Sequence, residues 1–293
     1  MYRKHDSFFA LKHKKGKKNS HIINRIIRAS KDISTVKKLS LENQKIFTKI
    51  TTDLLEDSQS SPKTKFNLKS NVIAEINTIT DTDLPRYLVH RYRYEIFPQT
   101  KTIDNFPPYL QIEPTSICNY RCVFCFETDK TFIDKKNGYM GQMSLDLFKK
   151  VVDQAEGNIE FISIASRGEP LACPNITKML EYTVEKFLNL KLNTNASLLD
   201  EKKCHAILSS GVKTIVFSAD AATEPLYSKL RVNGNLAKVL KNIENFKKIH
   251  ETKYSKNPII SRVSGVKFND KQNLNSMEKL WGDLVDQVAF VNY

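Results

Sequence analysis

The chain has 293 residues, with 46 Lys and Arg against 32 Asp and Glu and a formal charge of +14. That length accommodates one large α/β domain of about 250 residues plus an extension, and the positive balance raises the local concentration of anionic partners such as nucleic acid, phosphosugars or an acidic membrane surface. No run approaches the roughly twenty apolar residues of a spanning helix, and Phe8 to Leu11 is too short for the core of a signal peptide. With five cysteines and no framework of paired disulfides, a soluble protein of a reducing, cytoplasmic compartment is expected.

Residues 1–70 read as a basic, mostly helical amino-terminal extension. It opens with Lys12, Lys14, Lys15, Lys17 and Lys18, continues with helices around Ser20 to Leu39 and Leu41 to Leu55, and reaches a polar linker from Asp57 to Pro62. Its apolar positions Ile22, Ile23, Ile26 and Ile27 suit packing on the main domain or on a partner. Residues 71–106 form a mixed connecting segment. Within it, the aromatic and basic run Arg86 to Tyr94 suits base stacking, a coat on a barrel mouth, or a packing edge, the last being the commoner use.

From residue 107 to 293 the pattern becomes regular. Tyr109 to Glu113 reads as a first strand, Leu145, Phe148, Val151, Val152 and Ala155 as a helix face, and Phe161 to Ala165 as a second strand. The unit repeats with a helix marked by Ile176, Met179, Leu180, Val184 and Phe187, a strand at Leu190 to Asn193, a helix at Cys204, Ile207 and Leu208, and a strand at Thr214 to Ser218. A helix face at Leu236, Val239, Leu240, Ile243 and Phe246 leads to strands at Ile259 to Val266 and Gln287 to Asn292, with a helix at Asn275 to Leu284 between them. Such alternation indicates an α/β fold with a parallel sheet, because parallel neighbours need long crossovers. In barrels of this kind chemistry gathers at the carboxyl ends of the strands.

The run Cys118-Asn119-Tyr120-Arg121-Cys122-Val123-Phe124-Cys125 follows the first strand as C-x3-C-x2-C. Three thiolates at this spacing suit a [4Fe–4S] cube and leave one iron without a protein ligand. A structural zinc site normally takes four protein ligands, and no fourth is evident nearby. Of the other two cysteines, Cys204 falls on an apolar helix face and reads as a small buried hydrophobe. Cys173 follows the loop after strand two, where a structural role is favoured over contact with substrate or donation of a hydrogen atom.

On these cysteines the chain resembles the radical S-adenosylmethionine enzymes, and its six strand-helix units then resemble that family's partial (β/α)6 TIM-like barrel. The resemblance implies that Cys118, Cys122 and Cys125 hold the cluster, that S-adenosylmethionine chelates the fourth iron, and that Phe124 packs near the adenine. After strand two, Gly168-Glu169-Pro170 is similar to the family's Gly-Gly-Glu-Pro stretch, with Arg167 in place of the first glycine. The family's stretch meets the methionine amino group. After strand three, Asn193-Thr194-Asn195-Ala196 resembles a Thr-Asn-Gly turn with Ala196 where glycine is usual. After strand four, Ser218 and Asp220 are placed to bond the methionine carboxylate or the ribose hydroxyls, Asp220 being equally suited to cap a helix. Arg231 resembles the arginine that follows strand four, able to bind a carboxylate through two parallel hydrogen bonds. Arg262 to Val266 on strand five lies where the adenine pocket would be lined, with Val263 and Val266 read as core residues.

The resemblance thus implies an enzyme that cleaves S-adenosylmethionine reductively, forms a 5′-deoxyadenosyl radical and abstracts hydrogen from a peptide or a sugar or cell-surface precursor. It takes its electron from a donor such as a flavodoxin or ferredoxin. No catalytic side chain beyond the cofactor site is assigned. Phe217 to Asp220, Tyr227 to Arg231 and Trp281 to Val288 resemble the branch that often carries a carboxyl-terminal SPASM or twitch domain for auxiliary clusters. No cysteine follows Cys204, so the sequence is expected to be a fragment of a longer chain. The alternative function is a basic metal- or cluster-bearing nucleic-acid-binding protein with structural cysteines, whose binding would fall steeply with salt.

Overall fold

The computed structural model describes residues 8–9, 20–55 and 64–292; the basic opening Lys12 to Lys18 and the linker Asp57 to Pro62 lie outside these. The chain divides into two compact units. One comprises residues 13–110 and 157–161, the other residues 1–12, 111–156 and 162–293.

The first unit is helical, with Ser20–Lys31, Ile33–Val36, Leu41–Leu55, Ser70–Ile76 and Leu84–Thr100. Ile22 and Ile26 recur at helical spacing and are buried with Phe47, Ile50, Phe66 and Leu88. Arg25 ties its helix to the chain after Ser70–Ile76, donating to the carbonyls of Ile76 and Ile79 at 3.0 and 2.8 Å. The stretch 71–106, expected as a connecting segment, carries two of these helices. Its run Arg86 to Tyr94 lies within Leu84–Thr100 and buries Tyr87, Leu88, Val89, His90 and Arg91, which makes it a packing element of this unit. The Tyr87 hydroxyl donates to Glu75 at 2.7 Å, Arg91 pairs with Glu95, and burial pushes the His90 imidazole down to about 3.

The second unit is built on a parallel sheet of six strands. We number these β1 (Leu110–Ile112), β2 (Phe161–Ile164), β3 (Asn189–Thr194), β4 (Val212–Ser218), β5 (Ile260–Lys267) and β6 (Gln287–Asn292). They lie side by side in chain order, and a two-residue strand, Phe8–Phe9, pairs antiparallel with β6 at the outer edge. An open sheet of six parallel strands wound in sequence is a partial TIM-like barrel. Helices cross between strands, and most start where a polar cap accepts a backbone N–H. Ser144 accepts from Leu147, Asp200 from Lys203, Asn235 from Lys238 and Asn273 from Ser276. The helix expected through Phe187 ends at Tyr182, and Glu185 then turns the chain with φ 61°.

One face of the sheet takes the helices. Phe217 of β4 stacks edge-on against Phe246 of the helix Leu236–Lys253 at 5.8 Å. On the same face Leu192, Ile215, Val263 and Val288 are fully buried. Cys204 is buried on its helix, as its apolar neighbours suggested.

Candidate functional site

The loops after β1 to β4 meet at the carboxyl end of the sheet. The cysteine loop is pinned at its start by backbone. The Glu169 N–H donates to the Ile117 carbonyl at 3.0 Å, and a side chain at Gly168 would put its Cβ 2.1 Å from the Thr115 carbonyl oxygen and 2.8 Å from that of Ile117. Glycine is therefore required here by close approach of two backbones. Further along, Arg121–Cys122 pairs antiparallel with Arg231–Val232, and Val123 N donates to the Leu230 carbonyl at 3.0 Å. The loop is thus held between the strand-two and strand-four segments.

N–H donors stand near the sulfurs of Cys118 and Cys122. Tyr120 N lies 3.4 Å from Cys118 Sγ, Asn195 Nδ2 lies 4.0 Å from the same sulfur, and Arg231 Nη1 lies 3.7 Å from Cys122 Sγ. Cys125 N donates to the Cys122 carbonyl at 2.9 Å. Burial pushes the Cys118 thiol up to about 12 and that of Cys122 up to about 11, and raises Cys125 as well. Thiols so placed become thiolates when a cationic metal centre binds them, and N–H donors then suit the sulfurs' charge. Among the described residues no three His, Cys, Asp or Glu side chains converge on a point fit for one metal ion; a cube asks for thiolates at separate corners. The donor set fits an iron–sulfur cluster.

Glu169 is fully buried, and its carboxylate joins two loops. Oε1 accepts from Leu171 N at 3.0 Å and the Thr194 hydroxyl at 2.6 Å, and Oε2 accepts from Asn195 N at 2.7 Å. Burial raises its pKa, against these hydrogen bonds. Pro170 opens the buried turn Pro170–Ala172 that follows, and Cys173 is buried directly after it. Asn195 extends the network by donating to Asn119 Oδ1 at 3.0 Å and accepting from Ser197, whose hydroxyl also takes a bond from Asn119 Nδ2 at 2.8 Å. Asn119 and Ser197 carry no motif of their own. Their only sequence signal is their position inside the cysteine loop and after the Thr-Asn turn.

Ala196 has φ 61°, the left-handed region that explains why glycine is usual there. Asn242 Nδ2 holds it by donating to the Ala196 carbonyl at 2.8 Å. Ala196→Gly is expected to raise the unfolding free energy by about 1 kcal/mol in a denaturant titration.

Arg167, standing in place of a family glycine, clamps Glu113 at the end of β1. Its Nη2 lies 2.8 Å from Oε1, and its backbone N–H donates to Oε2 at 2.9 Å. Burial pushes the Glu113 carboxyl up, but the hydrogen bonds from Arg167 and Ser166 outweigh it, and the group titrates below its ordinary value. Its contribution is therefore complete above pH 4.5 and is lost as pH falls through the depressed folded value. Glu113→Gln is expected to cost up to about 1 kcal/mol at neutral pH, with Arg167 one-third exposed to solvent. Comparative denaturation of the variant and the native chain at acid pH should show that difference closing.

Ser218 ends β4, half-exposed beside Ser264 of β5. Asp220 is otherwise placed. Its Oδ1 accepts from Val266 N at 2.5 Å, its Oδ2 forms an ion pair with Arg231 Nε at 2.5 Å, and its carbonyl accepts from Gln272 at 2.7 Å. It caps no helix: the next one, Glu224–Leu230, starts at Thr223 without a side-chain cap. Arg231 is buried; desolvation pulls its pKa down, but Asp220 and Cys122 outweigh that and raise it. Its guanidinium carbon lies 5.9 Å from the Phe124 ring centre, and Phe124 in turn lies 5.9 Å from Phe268. The contacts above join Cys118, Cys122, Cys125, Phe124, Glu169, Asn195, Asp220 and Arg231 with Asn119, Ser197, Gln272 and Phe268, while Gly168 and Pro170 flank Glu169 and Ser218 stands at the end of β4 beside Ser264.

A parallel (β/α)6 sheet with a three-thiol loop at its carboxyl end defines a class of cluster-dependent enzymes. A family model for the Radical SAM superfamily matches residues 112–260, about half of the chain. The chain belongs to the Radical SAM superfamily and is an enzyme of that superfamily. It is 32% identical over 114 residues to the tungsten-containing aldehyde ferredoxin oxidoreductase cofactor-modifying protein of Pyrococcus furiosus, covering 38% of this chain and 30% of that one. It is 30% identical over 158 residues to the GTP 3′,8-cyclase of Saccharophagus degradans, covering 50% and 46%. Streptococcus suis SuiB bound to S-adenosylmethionine superposes with a TM-score of 0.50 at 21% identity, over 68% of this chain and 43% of SuiB, a likeness of fold. The chain spans about a third to about half of the length of the curated relatives it matches. Among the described residues no helix is long and apolar enough to cross a membrane.

Proposed function

We propose that Cys118, Cys122 and Cys125 hold a [4Fe–4S] cluster whose remaining iron is left to S-adenosylmethionine. When bound, these two groups supply reductive cleavage of the cofactor's C–S bond and a 5′-deoxyadenosyl radical that takes hydrogen from the substrate. The observation that carries this reading is the cysteine loop itself, seated by backbone on the ends of the strands with N–H donors directed at Cys118 and Cys122.

The chain's own residues then divide into those that face the cofactor and those that hold them. Ser218 is open to a ligand at the end of β4, and Phe124 offers a ring to the adenine. Gly168 and Pro170 shape a backbone edge for the methionine amino group. Glu169 and Asn195, each hydrogen-bonded to neighbouring loops, act by fixing that edge to the cysteine loop. Asp220 acts through Arg231, holding the guanidinium toward Cys122 and the cofactor's carboxylate side. The electron comes from a protein such as a flavodoxin or ferredoxin. The substrate is a peptide or a sugar or cell-surface precursor.

Anaerobic reconstitution with iron and sulfide, chemical reduction and assay for 5′-deoxyadenosine test this directly. The product is expected from the native chain, and Cys122→Ala is expected to lose both the cluster absorbance and the product. Turnover retained in that variant would overturn the ligand assignment.

A further inference from the structure

The helical amino-terminal unit carries a surface that the cysteine site leaves unused. In the helix Ser20–Lys31 the apolar spacing buries Ile22, Ile26 and Ala29. His21, Asn24, Arg28 and Lys31, three or four residues apart, share the opposite face and are all exposed. The helix contains no Asp or Glu. The chain then turns through Ile33–Val36 into Leu41–Leu55 and adds Lys37, Lys38 and Lys45, each exposed. From Arg28 to Lys45 there are thus five cations against two acids. Both acids are engaged locally. Asp32 accepts from the Ser34 and Thr35 hydroxyls at 2.7 Å as the cap of Ile33–Val36, and Glu42 pairs with Arg93 Nη2 at 3.2 Å. Among the described residues none of the five cations has an ion-pair partner.

Two large apolar side chains belong to the same stretch. Ile33 and Leu41, each the first residue of its helix, are 66% and 78% exposed, and Leu41 lies one turn from Lys45. Single exposed aliphatics are common, but aliphatic tips set among unpaired cations suit one kind of surface. Anionic headgroups attract the charges. The apolar side chains then enter the boundary of the acyl layer, with the stems of Lys and Arg lying along it. Single-stranded nucleic acid would ask instead for rings on which bases stack, and the stretch from Arg28 to Lys45 has no aromatic residue. The aromatic and basic run Arg86 to Tyr94 of the same unit buries Tyr87 and Arg91 in packing.

We propose that this helical corner docks the chain on an anionic lipid bilayer, the five cations meeting headgroup anions and Ile33 and Leu41 entering the headgroup layer. The association is peripheral, since among the described residues no helix is long and apolar enough to cross. It weakens as salt rises, because charges at the surface are screened.

Co-sedimentation of the full chain with vesicles of equal parts phosphatidylglycerol and phosphatidylcholine tests this, against vesicles of phosphatidylcholine alone. Binding is expected to the anionic vesicles only. Lys37→Gln combined with Lys38→Gln is expected to weaken it about twentyfold, each cation near such a surface contributing about fivefold. Ile33→Ser and Leu41→Ser are expected to weaken it about fivefold to tenfold each. Lys202→Gln, exposed on the helix Glu201–Ser209 of the other unit, should change nothing. Absence of binding to anionic vesicles, equal binding to neutral ones, or binding indifferent to the corner substitutions overturns the proposal. Binding that responds to the lysines but not to Ile33 and Leu41 also overturns it, and equally tight capture of polyuridylic acid would then identify a general polyanion surface. These measurements need neither iron nor S-adenosylmethionine, so their outcome is independent of the radical reading.

Discussion

Asp220→Ala is expected to destabilise the sheet unit by about 3–5 kcal/mol, the cost of leaving a buried charge without its partner. Both side chains of the Asp220 and Arg231 pair are buried, at 1% and 7% exposure, so solvent screening does little to soften the loss. The same substitution strips the Val266 N–H of its acceptor. Asp220→Asn keeps an oxygen for Val266 but removes the charge, and should retain much of the cost. In a double-mutant cycle, adding Arg231→Met to Asp220→Ala should recover part of the stability, since the stranded cation is then gone. Denaturant unfolding of the four proteins measures this, and additive effects would contradict the pairing.

Gly168→Ala is expected to unseat the cysteine loop. Its new Cβ would lie 2.1 Å from a carbonyl oxygen and 2.8 Å from two further backbone atoms, none of them at the end of a flexible side chain. Overpacking of this kind costs about 3 kcal/mol or more, on the order of a hundredfold in the population with the loop in place. Iron content after anaerobic reconstitution should therefore fall sharply while the helical content of the amino-terminal unit stays intact. Normal iron loading in this variant would show that the loop tolerates displacement.

The cysteine loop, the strand-helix alternation and the loop positions of Gly168, Asn195, Ser218 and Arg231 were legible because each is local. A spacing of thiols or a period of two against nearly four is written in a few consecutive residues. What could not be read is what those residues touch. Asp220 stands where a cap or a ligand contact would serve, and its actual partners, Arg231 and Val266, lie 11 and 46 residues further along the chain. Glu169 sits in the Gly-Glu-Pro stretch, but that its oxygens accept from Leu171, Thr194 and Asn195 is seen only in the fold. The helix ending at Tyr182 shows the other limit. Phe187 continues the apolar spacing and is buried, but it reaches the core from the loop that follows the turn, since periodicity reports burial more directly than conformation.

The proposed centre is a four-iron cluster held by three thiolates with its last iron open to S-adenosylmethionine. Electron paramagnetic resonance of the reconstituted, reduced full chain, recorded with and without S-adenosylmethionine, tests it most directly. A reduced four-iron signal is expected whose shape changes when S-adenosylmethionine is added, and which is absent in Cys122→Ala. A signal indifferent to S-adenosylmethionine, or tightly bound zinc with no four-iron centre, would contradict it.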